Sequence, residues 1–259
     1  LLSLARNCAY DQWSVGKTVI LQKDLSLEGM LWEPIPSFSG QFKGNGHTIS
    51  DLTITGQYSP AGLFGIVEEQ GSIESLSVRG VVSVSDSADT TTGGIVGVNH
   101  GTLINCQFTG VVTGDSEVGG IVGRNESEGT IDHGTARAIV TGKSSTGGIA
   151  GYNLGAITGC TNVGSINTEY PEASLDTDGF TAKMVDYINN KMAAADNDAT
   201  NSVTNVATDT GGIAGRSSGM ILTSVNTGTI GYEHVGYNVG GIVGRTDGLV
   251  SGCVNQGRV

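Results

Sequence analysis

One five-residue cadence recurs six times along this chain: Ala61-Gly62-Leu63-Phe64-Gly65, Gly93-Gly94-Ile95-Val96-Gly97, Gly119-Gly120-Ile121-Val122-Gly123, Gly147-Gly148-Ile149-Ala150-Gly151, Gly211-Gly212-Ile213-Ala214-Gly215 and Gly240-Gly241-Ile242-Val243-Gly244. The steps between their second residues are 32, 26, 28, 64 and 29. A unit this short cannot enclose a core of its own, so its copies must stack on one another. The step of 64 is close to two ordinary ones and marks either a degenerate copy or an insertion.

The register extends well past the motif. A further glycine follows each copy (Gly71, Gly101, Gly129, Gly155, Gly219, Gly248), and two residues later the side chain is always apolar: Ile73, Leu103, Ile131, Ile157, Ile221, Val250. Five residues after that glycine stand Leu76, Cys106, Gly134, Cys160, Ser224 and Cys253; nine after it, Gly80, Gly110, Ala138, Gly164, Gly228 and Gly257. Eleven after it, Val82, Val112, Val140, Ile166, Ile230 and Val259 are again apolar. β-Branched residues dominate these short runs, and glycine is too frequent for helix. Each unit therefore reads as two or three short strands joined by glycine corners. Coiling once per unit brings equivalent strands side by side, parallel and about 4.8 Å apart, with equivalent side chains in columns. The predicted fold is all-β: a right-handed parallel β-solenoid (β-helix) with one helix-containing insertion. The hand follows from the right-handedness of parallel crossovers. Glycine supplies 42 of 259 residues and aromatics only 5%, which suits thin stacked layers rather than a bulky globular core.

Residues 1–60 lack the motif but hold strand-like stretches at Thr18–Leu21, Leu25–Leu27 and Thr48–Ile54, with a turn signal at Gly44-Asn45-Gly46. They are expected to form an N-terminal capping coil, with Trp13, Trp32 and Phe38 covering the end of the stack. Residues 61–259 form the repeats, interrupted by an insertion at 168–210. Within it Phe180, Met184, Val185, Ile188 and Met192 fall at helical spacing behind a potential N-cap, Asp178. This predicts an amphipathic helix, either covering one flank of the solenoid or serving as a recognition element.

The net charge of −12, from 13 basic and 25 acidic residues, argues against nucleic acid or an anionic membrane as partner. No apolar run is long enough to span a bilayer, so no membrane insertion is expected within this fragment, which is expected to be monomeric. The chain opens at Leu1 without an initiator methionine and reads as a piece of a longer protein, with any secretion signal or anchor outside it.

The segment Gly94-Ile95-Val96-Gly97-Val98-Asn99-His100-Gly101-Thr102-Leu103 resembles the GLUG repeat of large bacterial surface proteins, and Ala61-Gly62-Leu63-Phe64-Gly65 matches its founding form. Upstream, Trp32–Pro36, Phe38–Ile49 and Leu52–Ile54 resemble the stretch that precedes such repeats. The resemblance covers nearly the whole chain except the insertion. It implies an adhesin-type protein or the non-catalytic region of an immunoglobulin A peptidase, located extracellularly at the bacterial cell surface. It brings no shared catalytic residues.

Candidate chemistry is sparse. Cys106, Cys160 and Cys253 share one repeat position, but Gly134 and Ser224 intervene. Two layers separate them by about 9.6 Å, beyond the roughly 7 Å a disulfide can span. They read as free, buried thiols, and Cys8 has no evident partner. No cysteine has a second cysteine or a histidine at ligand spacing. His47 falls in the Gly44–His47 turn and reads as a local hydrogen-bonding residue; His100, His133 and His234 lie near corners. Asn162, Asn226 and Asn255 share a position seven residues after the second glycine. They read as a partial asparagine ladder whose amides pair between layers or satisfy a corner's backbone groups or, more sharply, as the lining of a sugar-binding groove. Asp176, Asp178, Asp196, Asn197 and Asp198 superficially resemble calcium ligands but lack a full loop, so solvated acids are the simpler reading. Asp86 with Asp89, and Asp115 with Glu117, sit in polar loops, and nothing in the sequence sets them across a cleft at a glycosidase separation.

No catalytic, cofactor-binding or metal-ligating residues are assigned, and no cofactor is expected. The expected function is non-catalytic: an adhesin-type binding surface or rigid stalk facing an unknown host protein or glycan. Recognition is expected at Ser83–Thr92, Gly114–Val118 and the insertion Thr168–Thr210. Alternatives are the substrate-engaging region of a secreted immunoglobulin A peptidase-like protein and a polysaccharide-binding or -degrading β-helix.

Overall fold

The structure, a computed structural model, describes residues 1–10, 12–84, 90–168, 208–231 and 238–259. The chain is a parallel β-solenoid. Each full coil feeds four sheets; in one coil the strands are Thr91–Gly93, Val96–Asn99, Thr102–Ile104 and Gln107–Thr113, and in two later coils the last strand is split, into Thr161–Asn162 and Ser165–Ile166 and into Val225–Asn226 and Thr229–Ile230. The sheets hold five, seven, eight and ten strands respectively, and every registered pair of strands is parallel. Four strands per coil exceed the two or three expected, because the residues leading into each glycine pair form a ladder of their own. At that corner, Ile121 O accepts from both Ile95 N (2.9 Å) and Val96 N (3.0 Å), so two sheets meet within two residues.

The columns read from the sequence are present. Ile73, Leu103, Ile131, Ile157, Ile221 and Val250 are successive register partners. Phe42 and Val19 extend that column backwards through the N-terminal segment. Val82, Val112, Val140, Ile166 and Ile230 form a second column, each fully buried. The 64-residue step is a single coil step, since Ile157 pairs directly with Ile221 and Ala150 with Ala214. The intervening residues are thus an insertion rather than a degenerate coil. The predicted helix Phe180–Ala195 and its cap Asp178 lie outside the described residues.

Why glycine recurs is visible at two positions. A Cβ on Gly110 would lie 1.9 Å from Gly80 O, and its φ of +146° disfavours any side chain. A Cβ on Gly148 would lie 2.4 Å from Asn162 Cγ, so the second motif glycine makes room for a neighbouring column.

That column runs Ile49, Val78, Phe108, Ala136, Asn162, Asn226, Asn255 and changes from apolar to amide halfway along the stack. Asn162 Nδ2 donates to Asn226 Oδ1, and Asn226 Nδ2 to Asn255 Oδ1, each at 2.7 Å. Each Oδ1 of Asn162 and Asn226 accepts from a corner amide, Gly164 N and Gly228 N. Both structural roles weighed for these asparagines are therefore filled at once. A second ladder lies two residues after the motif: Asn99 donates to Asn125, Asn125 to Asn153 (both 2.8 Å), and Asn153 to Ser217 Oγ (3.1 Å). Buried amides are tolerable here because the ladder pairs them from coil to coil.

At the N-terminal end the helix Leu2–Asn7 packs on the strand Ile35–Phe38, with Leu4 and Cys8 buried. Ser14 Oγ accepts from Ser39 N at 2.9 Å, satisfying an amide just past that strand. Trp32 and Phe38 are buried, and Phe38, Phe42 and Phe64 form an aromatic cluster with centroids 5.3–6.4 Å apart. Trp13 is half-buried, with the Lys17 ammonium 4.7 Å from its ring centroid.

Candidate binding surface

The third strand residue after each motif glycine pair builds a column on the outside of the seven-stranded sheet. In register it runs Ser37, Ile66, Val98, Arg124, Tyr152, Arg216, Arg245. Its C-terminal half is a stack: the Arg124 and Arg216 guanidinium carbons each lie 5.0 Å from the Tyr152 ring centroid. Tyr152 Oη is 3.2 Å from Ser218 Oγ. Arg124 is also held by two carboxylates, Nη1 to Glu117 and Nε to Glu126, both at 2.7 Å. Burial alone would lower the Arg124 pKa, but Glu117 and Glu126 outweigh it and raise it above its ordinary value. Beside Arg216 and Arg245, the Asp247 carboxyl is held below its usual range, chiefly by a hydrogen bond from Ser218, then by its own backbone amide and, last, by the two guanidinium charges.

At the N-terminal end of the same column lies a cleft of about 500 Å³ between the capping segment and the strand Ile35–Phe38. Tyr10, Gln12, Ser37, Glu68, Glu69 and Gln70 contribute to its walls. Ser37 Oγ donates to Glu68 Oε1 at 2.6 Å and fixes that carboxylate. The Cys8 thiol beside the cleft is pushed up by burial, against smaller opposing effects of Ser14 and Lys17.

The other residues singled out from sequence are dispersed. Asp115 pairs with Lys143 at 2.7 Å while Glu117 faces Arg124, so each of these two carboxylates has its own cation. His47 Nδ1 is 3.2 Å from Asp24 Oδ1, which also accepts from Thr48 N, the local turn role expected of it. The Asp24 carboxyl is held low, first by the Thr48 amide and then by His47. His133 pairs with Asp132 at 2.8 Å on the surface. All four cysteines are free; Cys106 and Cys160 are buried, and burial pushes both thiols up to about 12. Cys253, expected to be buried, is half-buried because it sits on the last coil, with no described strand beyond it. Asp86, Asp89, Asp176, Asp178, Asp196, Asn197, Asp198 and His234 lie outside the described residues, as do residues 85–89 of Ser83–Thr92 and most of the insertion. Of the expected recognition loops only Gly114–Val118 is described in full, and it supplies Glu117 as a partner of Arg124 in the column. Sequence reading missed both the Arg–Tyr–Arg stack and the cleft.

Fold and surface together define a repeat solenoid with one chemically varied outer face. No family model matches the chain. Halomucin of Haloquadratum walsbyi is 34% identical over 117 residues, covering 42% of this chain and 1% of Halomucin. A “Putative Gly-rich membrane protein” of Evansella cellulosilytica is 29% identical over 137 residues, covering 38% of this chain and 16% of that protein. The chain thus matches only a small part of either relative's length. Among solved structures, a “putative immunoglobulin A1 protease” from Bacteroides ovatus shares the fold, with a TM-score of 0.61 and 20% identity over 93% of this chain and 68% of that one. Among the described residues, no helix is long and apolar enough to cross a membrane.

Proposed function

We propose that this chain is a non-catalytic, GLUG-type β-solenoid module of a bacterial surface protein, displaying an adhesin-type binding face on a rigid stalk. One observation carries the reading: the register column from Ser37 to Arg245 keeps seven outward positions aligned over seven strands while their chemistry changes from polar through apolar to cationic. A scaffold that fixes spacing and frees identity at one face suits recognition by a surface. The names of the two curated relatives, Halomucin and a “Putative Gly-rich membrane protein”, support a place at the cell surface. Glu117, Glu126 and Asp115 are each engaged by a cation, which favours a structural over an acid–base role for them. Protease shaving of intact cells of the source organism tests this reading. Release of peptides from residues 1–259 supports it; release only after lysis contradicts it.

A second reading, the substrate-engaging region of a secreted immunoglobulin A peptidase-like protein, draws on the fold shared with the Bacteroides ovatus protein over 93% of this chain. Incubating the full-length protein with immunoglobulin A and looking for cleavage decides between the two.

A further inference from the structure

The cleft at the N-terminal end of the column is built from segments distant in sequence: Cys8, Tyr10, Gln12, Ser14 and Val15 of the cap, Ser37 and Ser39 at the end strand, and Glu68–Gln70 of the next coil. Its floor is fixed. Ser14 is buried and committed to Ser39 N, and Ser37 clamps Glu68 Oε1. Its rim is unspent. Among the described residues, the side chains of Tyr10, Gln12, Glu69 and Gln70 make no hydrogen bond, and Tyr10 is 72% exposed. Carboxylate, amide and hydroxyl groups thus converge on one hollow, with an aromatic ring at its edge.

We infer that this cleft is a binding site for a neutral sugar, either a chain end or a short oligosaccharide. Sugar hydroxyls donate to carboxylates and amide oxygens and accept from amide N–H groups, while the C–H face of a pyranose ring packs on an aromatic ring. Tyr10, Gln12, Glu69 and Gln70 offer that combination of groups. The volume lies within the range of small-ligand sites. Glu68 and Glu69 face the hollow with no basic residue among those lining it, so uronates and other acidic sugars are repelled. A peptide would need an enclosed apolar pocket for an anchor side chain, and Tyr10 and Val15 on an otherwise polar wall do not form one. The inference deepens the proposed binding role and rests on it.

The test is a 15N-resolved NMR titration of the 259-residue chain with maltotriose, cellotriose, mannotriose and diacetylchitobiose, with trigalacturonate and Ca²⁺ as counter-probes. A saturable shift of the Ser39, Glu69 and Gln70 amides by at least one neutral saccharide is expected. Tyr10→Ala should weaken that binding at least about tenfold, the scale of losing an aromatic anchor, with an unchanged melting temperature. Gln70→Ala, also exposed, provides an independent second variant. The site is refuted if no neutral probe shifts these amides, if trigalacturonate or Ca²⁺ binds there as tightly, or if both variants bind like wild type. Shifts confined to the Ile66–Arg245 column would refute the cleft and leave the surface-binding role standing, whereas the shaving experiment addresses that role alone.

Discussion

Asn162 and Asn226 are 64 residues apart in sequence and 2.7 Å apart in space, amide to amide, in the middle of a buried ladder. That bond places the whole insertion between two coils that touch. It also shows how the interior is held together where apolar side chains run out. Asn226 gives to Asn255, receives from Asn162 and accepts from Gly228 N, so its removal strands several groups at once.

Asn226→Ala should therefore lower unfolding free energy by about 2–4 kcal/mol, from the donor and acceptors left unpaired in a buried setting. Asn255→Ala, at the exposed end of the ladder, should cost less than about 1 kcal/mol. Urea denaturation of both variants checks the ordering; equal losses would mean the ladder does not act as a chain.

Gly110→Ala faces both a positive φ and a backbone oxygen 1.9 Å from the new Cβ. A loss of roughly 3 kcal/mol or more is expected, or failure to fold. Gly16→Ala shares the unfavourable φ of +67° but meets nothing within 4 Å, so about 1 kcal/mol is expected. Thermal melts of the pair separate close approach from dihedral strain.

The Cys106 and Cys160 thiols, raised to about 12 from 9.0, couple stability to pH. A thiol whose folded pKa is raised keeps its proton in the native state after the unfolded chain has lost it. The stabilisation is full below pH 9 and falls as pH rises from about 9 to 12, by up to about 1.4 kcal/mol per pH unit per thiol. Melting temperatures between pH 7.5 and 10.5 should fall more steeply for wild type than for the Cys106→Ala/Cys160→Ala variant. Iodoacetamide should label half-buried Cys253 in the native protein and reach Cys106 and Cys160 only on unfolding.

Tyr152→Ala removes the ring between Arg124 and Arg216 and should cost about 1–2 kcal/mol, whereas Tyr152→Phe, which loses only the contact with Ser218, should cost under about 0.5 kcal/mol. Chemical denaturation of the two variants is the check; a larger effect for Phe would mean the hydroxyl, not the stack, holds the column.

The coil stack was legible because its columns demand the same residue type at the same offset: Ile73 to Val250 admits only aliphatic residues, and Gly110 admits no side chain. The Asn162 ladder announced itself in the same way. The ladder through Asn99, Asn125, Asn153 and Ser217 carries an equal signal, two residues after the motif, but begins as Val67 and ends as Thr246, which blurs it. The outward column could not be read: solvent imposes no common residue on Val98, Arg124, Tyr152 and Arg216, so nothing repeats. Nor could the cleft, whose walls come from the capping segment (Cys8, Tyr10, Gln12), from Ser37 and Ser39 and from Glu68–Gln70, and follow no period.

The central claim is that coils stack in register across the insertion. Interstrand NOEs in the 26.4 kDa chain test it most directly. The account predicts backbone NOEs linking Ile157 with Ile221 and Asn162 with Asn226, the pattern of adjacent parallel strands. Their absence, with Ile157 or Asn162 instead contacting residues of 169–207, would contradict it.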